Sequence, residues 1–144
     1  MRWIQTAVML PVMRVHGYMS KTEPWRYDAA TEEFFVKAIG DRKELFPYLR
    51  SCADRVARED YTLMRPLVFD FPDDEEAMKQ DTEYMFGPKY LVCPVLAPSV
   101  NSMTVYLPAN GGGWKLLDNG SIYPGSEYVE VPVRPDSIPV FERL

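Results

Sequence analysis

Apolar positions along this chain follow two different periods. Up to about residue 60 they recur at helical spacing, and beyond it they alternate or run in short blocks. Trp3, Ile4, Ala7 and Val8 share one helical face, and Pro11 marks the end of that helix. The short apolar run from Val12 to Val15 predicts a strand that ends at His16-Gly17. A loop from Tyr18 to Tyr27 carries Glu23-Pro24-Trp25. Asp28 and the acidic pair Glu32-Glu33 suit a helix start, where free amides and the helix dipole favour negative charge. Asp41 with Glu44 has capping-box spacing and predicts a second start. Leu45, Tyr48, Leu49, Cys52 and Val56 then form one stripe, and Pro47 within it predicts a kink.

After Tyr61 the runs are of strand length. LMRPLVFDFP and KYLVCPVLAP are bounded by proline, MTVYLP, WKLLD and YVEVPV alternate or nearly so, and IPVF lies near the end. Asn110-Gly111-Gly112-Gly113, Asp118-Asn119-Gly120 and Pro124-Gly125 supply turns between them. Strands at this spacing predict an antiparallel β-sandwich. The fold class is therefore α/β followed by all-β. A single strand-helix unit cannot cover both faces of a parallel strand, so residues 1–60 read as the end of a larger α/β body.

Charge narrows the partners. The net charge of −5 leaves no basic face for a nucleic acid, and each arginine among Arg42, Arg50, Arg55 and Arg58 has acidic neighbours. No run reaches the roughly 18 apolar residues of a membrane span. Cys52 and Cys93 form no CxxC pair and read as two buried free thiols. Asn119-Gly120-Ser121 is a glycosylation sequon but first of all a turn signal.

His16 is the only histidine. On a strand it shares a side with Arg14, about 6–7 Å away, and Gly17 lets the chain turn without crowding a ligand. At the C-terminal end of a barrel strand it would face a pocket. The plainer reading is a histidine satisfied by a backbone carbonyl. A metal site has no second histidine or neighbouring cysteine to complete it.

RWIQTAVMLPVMRVHG, EPW, LFPYLRS, MRPLVFDFPDD, QDTEYMFGPKYLVCPVL, VYLPANGGGW and IPVF occur in that order. Together they resemble the C-terminal part of glycoside hydrolase family 31, the retaining α-glucosidases and α-xylosidases. The resemblance covers essentially the whole chain. It implies the last unit of a (β/α)8 catalytic barrel over residues 1–60 and a proximal, truncated β-sandwich over 61–144. It also implies that His16, in the Arg14-Val15-His16 motif, hydrogen-bonds hydroxyls of the terminal sugar, with Arg14 and Trp25 around the pocket. That implication displaces the packing reading of His16. No metal or cofactor is implied, and the partners are an α-linked oligosaccharide and the missing N-terminal portion of the barrel. His-Gly followed by Glu-Pro-Trp leans toward the α-xylosidase branch. The chain departs from the family at Ala7 and Glu59-Asp60, where glycine is frequent, at Met9, where an aromatic is usual, and at Cys93, where alanine is common.

A retaining glycosidase needs two carboxyl groups about 5 Å apart. By the resemblance both lie on earlier barrel strands, so no residue here is assigned a catalytic role and the chain alone is expected to be inactive. Asp73-Asp74-Glu75-Glu76 is the densest acidic cluster, but it reads as a solvated helical turn. Asp70 reads as a structural partner of Arg65. Trp114, Tyr123 and Tyr128 on the sandwich support an alternative function, a non-catalytic carbohydrate-binding or scaffold domain, if they form an exposed coplanar row.

Overall fold

The computed structural model describes every residue except Ser20. Three helices come first: α1 (Arg2–Val8), α2 (Ala29–Glu44) and α3 (Phe46–Arg58). The strand β1 (Met64–Pro66) leads into a helical turn, α4 (Leu67–Asp70). Seven strands follow: β2 (Tyr84–Phe86), β3 (Tyr90–Val92), β4 (Ser102–Leu107), β5 (Trp114–Leu116), β6 (Ile122–Tyr123), β7 (Glu127–Pro132) and β8 (Val140–Arg143). All pairings are antiparallel; one sheet has the order β1-β2-β3-β8-β5-β6, and β4 pairs with β7 in a second.

Alternation along the strands builds three layers. Met85, Leu91, Trp114, Leu116 and Phe141 meet Val105, Leu107 and Val131 of the second sheet. Tyr84, Phe86, Val92 and Val140 point the other way, onto Ile4, Ala7 and Val8 of α1 and Phe35 and Ala38 of α2. The larger sheet therefore lies between helices and strands, and every residue of β2 is buried. Helix α3 closes onto the β2-β3 turn. The Tyr48 hydroxyl donates to the Phe86 carbonyl at 2.7 Å and accepts from the Lys89 amide at 3.2 Å. Gly87, at φ +62°, permits this approach, because a Cβ there would lie 2.1 Å from the Tyr48 hydroxyl.

Several expectations change. Residues 12–15 join no ladder, because a parallel strand needs flanking strands. Asp41 starts no helix; it lies within α2 and pairs with Lys37 at 2.6 Å. The break falls at Leu45, since Pro47 has no N–H for the preceding turn and sits at the start of α3. Leu67–Asp70 coils where a strand was expected, and Arg65 meets Asp70 at 2.9 Å as anticipated. Asp60 takes φ 52°, a left-handed conformation, within the Glu59-Asp60 pair that stands in place of a frequent glycine of the resembled family. Both cysteines are free and buried, and Asn119 accepts from the Ser121 amide within its turn.

One buried carboxyl couples this fold to pH. Glu83, beside β2, accepts from the Tyr106 amide at 2.9 Å through Oε1, while Oε2 meets no protein partner. Burial pushes its carboxyl from the usual 4.5 up to about 7, and the Tyr106 N–H only partly opposes this. The folded chain thus holds a proton that the unfolded chain releases. Stability is full below the unfolded value and falls as pH rises through the folded one, by up to about 3 kcal/mol. Denaturant titrations at pH 5 and pH 8 are expected to show this loss, and Glu83→Gln is expected to flatten it. A wild-type chain equally stable at both values contradicts this reading.

Candidate functional site

The site begins where α1 ends. Its last carbonyls and those just beyond would be orphans, and side chains from two other elements take them. Arg42, on α2 and only 8% exposed, donates through Nη1 to the carbonyls of Val8 at 2.5 Å and Leu10 at 2.6 Å. Its Nη2 donates to Pro11 at 2.9 Å. The Tyr84 hydroxyl, from β2, donates to the Met9 carbonyl at 2.9 Å. A cation at a helix C-terminus also meets the favourable end of the dipole. Burial lowers the Arg42 pKa and raises that of Tyr84. Guanidinium nonetheless stays charged in proteins.

From this anchored stretch the chain runs to Arg14 and His16, which the structure brings together. Arg14 Nη2 lies 2.9 Å from His16 Nδ1. Guanidinium can only donate, so Nδ1 accepts and the neutral ring carries its proton on Nε2. That leaves Nε2–H free to donate to a ligand hydroxyl. Both side chains are exposed at a cleft of about 470 Å³ lined also by Trp3, Thr22, Tyr27, Thr31 and Phe35. The Asp28 carboxylate caps α2 by accepting from the Thr31 amide at 2.7 Å, which sets Thr31 and Phe35 along this wall. The hydrogen bonds from Thr31 hold the Asp28 carboxyl below its usual range.

Trp25 does not join the lining; it is 69% exposed on the turn Pro24–Arg26. Trp3 and Tyr27 occupy the wall instead. Trp3 had the spacing of a core residue but is 56% exposed, on the cleft side of its helix. Among the described residues no carboxylate lines the cleft. Asp74 is spent on structure: its oxygens accept from the Glu76 and Ala77 amides and from the Tyr106 hydroxyl. The aromatic row needed for a binding sandwich does not form. Trp114 is fully buried, Tyr123 packs against the core, and only Tyr128 is half exposed. Among the described residues no group of three or more His, Cys, Asp or Glu could hold a metal, and no helix is long and apolar enough to cross a membrane.

Two family models divide the chain between them. Residues 1–52 match the TIM-barrel domain of glycosyl hydrolase family 31, and residues 60–144 match its C-terminal domain. The chain belongs to glycosyl hydrolase family 31. Among family 31 relatives, an α-xylosidase of Saccharolobus solfataricus is 40% identical over 142 residues, 99% of this chain and 19% of the relative. The neutral α-glucosidase C of Mus musculus is 34% identical over 99% of this chain and 16% of its own length. A family 31 α-xylosidase from a soil metagenome, solved with xylose, superposes with a TM-score of 0.92 at 32% identity. That match covers 99% of this chain and 24% of the solved one. A Flavobacterium johnsoniae dextranase complexed with isomaltotriose has a TM-score of 0.91 at 30% identity, over 99% and 18%. The chain thus spans roughly a fifth of the length of these family 31 relatives.

Leu45 and Leu49 pack against the core between helices and sheet, but Val12 is 74% and Val15 43% exposed. Trp3, Tyr18, Met19 and Tyr27 are exposed as well, and an apolar face marks an association surface where its members adjoin. The 144-residue chain is expected to bind a hydrophobic dye and to self-associate in sedimentation. A dye-silent, monodisperse monomer would show that this face is covered.

Proposed function

We propose that this chain forms the sugar-binding end of a retaining α-glycosidase barrel, residues 1–60, together with the sandwich, 61–144, that braces it. The observation that carries the reading is the Arg14–His16 pair at 2.9 Å, set at the mouth of an aromatic-walled cleft. His16 Nε2–H donates to a hydroxyl of the terminal sugar, and Arg14 fixes the tautomer that makes this possible. Trp3 and Tyr27 offer apolar ring faces beside it. Trp25 belongs to the same mouth only if the substrate extends outward. The nucleophile and the acid/base carboxyls come from elsewhere in the whole protein, since the cleft holds none. The α-xylosidase and α-glucosidase relatives support a terminal α-linked xylose or glucose as substrate, and the 40% identity to an α-xylosidase favours xylose.

In the whole protein, His16→Ala removes a hydrogen bond inside the cleft, worth roughly 1–3 kcal/mol. kcat/KM on an aryl α-xyloside is expected to fall roughly 5- to 150-fold with little change in melting temperature. Early melting with normal turnover per folded molecule would make His16 a packing residue and overturn the assignment. The 144-residue chain by itself is expected to release no phenol from aryl α-xylosides or α-glucosides. Turnover that disappears on changing Asp73 or Asp74 would place the chemistry in the acidic cluster instead.

A further inference from the structure

We infer that Arg42 is a positioning residue for the sugar-binding arm, holding the backbone that presents Arg14 and His16 although it touches neither. The inference rests on the proposed role of His16, but its geometry stands apart from that role. Arg42 is buried on α2, and its fork reaches three carbonyls, those of Val8, Leu10 and Pro11. These flank the one carbonyl, of Met9, that Tyr84 takes. The last of them lies three residues before Arg14.

No ladder bonds hold residues 10–17, so side-chain donors do the work that neighbouring strands do inside a sheet. A planar guanidinium can serve three carbonyls at once with fixed angles, whereas an ammonium concentrates its donors on a single atom. A buried charge with its hydrogen-bond partners in place also resists sliding, because any shift leaves both the charge and the carbonyls unpaired. The register of the arm, and with it the Arg14–His16 contact, therefore depends on Arg42.

The single histidine makes this measurable without any sugar. Ring nitrogen NMR of the 144-residue chain above neutral pH is expected to show one tautomer, with Nδ1 unprotonated and Nε2 protonated. Arg42→Ala is expected to replace this pattern with the averaged signals of a free imidazole, and Arg42→Lys to give an intermediate. Leu116→Ala, a cavity in the sandwich core, serves as the control: it lowers the melting temperature and leaves the His16 signals alone. If Arg42→Ala does not fold, Arg42→Lys decides on the same signals. Unchanged tautomer signals in the folded Arg42 variant, or an equal change in Leu116→Ala, overturn the inference. A lost tautomer together with normal kcat/KM for His16→Ala in the whole protein keeps the positioning and removes the sugar contact.

Discussion

Four successive carbonyls, from Val8 to Pro11, are held by two side chains that come from opposite parts of the sequence. Arg42 rises from a helix and Tyr84 from the middle of a sheet, and both are buried where they meet the segment. Leaving any of these carbonyls dry and unpaired would cost about 1–3 kcal/mol, and leaving the guanidinium unpaired would cost more. The arrangement is therefore close to all-or-none. It ties the helical part of the chain to the sandwich and fixes the direction in which the arm leaves α1. The Arg14–His16 pair, the tautomer it selects and the cleft beside it all follow from that direction.

The second constraint is the sheet covered on both faces. Because β2 and β3 face strands on one side and helices on the other, the sandwich cannot move independently of α1 and α2 without opening a core of Ile4, Ala7, Phe86, Val92 and Val140. This explains why a domain with no residue in the cleft still matters to it. Tyr84 and Phe86 lie on the helical face while Met85 between them lies in the sandwich core, so one short strand serves both bodies. The carboxyl of Glu83, immediately before it, is pushed up to about 7 by the same burial.

Much of this is legible in the sequence. Period-two patterns marked β4 and β7, each polar on one face, and the Asp28 cap announced α2. β2 escaped because a strand buried on both sides does not alternate, and Leu67–Asp70 misled because an apolar block of four has no period of its own. Asp41-Arg42-Lys43-Glu44 looked like a helix start by spacing, yet its arginine is the residue that matters. Nothing local distinguishes Arg42 from the surface arginines nearby; its partners lie more than thirty residues away. The motif around His16 was recognisable only through its resemblance to family 31. Trp3 and Tyr27, which line the cleft, looked like core and loop, because exposure toward a pocket leaves no periodic mark.

The central claim is that Arg42 and Tyr84 hold one segment as a unit, and a double-mutant cycle tests it most directly. Stability of Arg42→Met, Tyr84→Phe and the double variant would be measured by denaturant unfolding beside the wild type. A shared segment predicts that the second loss is cheaper once the first has freed the carbonyls, with a coupling of about 0.5–3 kcal/mol. Losses that simply add, to within about 0.5 kcal/mol, would show two independent hydrogen-bonding side chains and contradict the account.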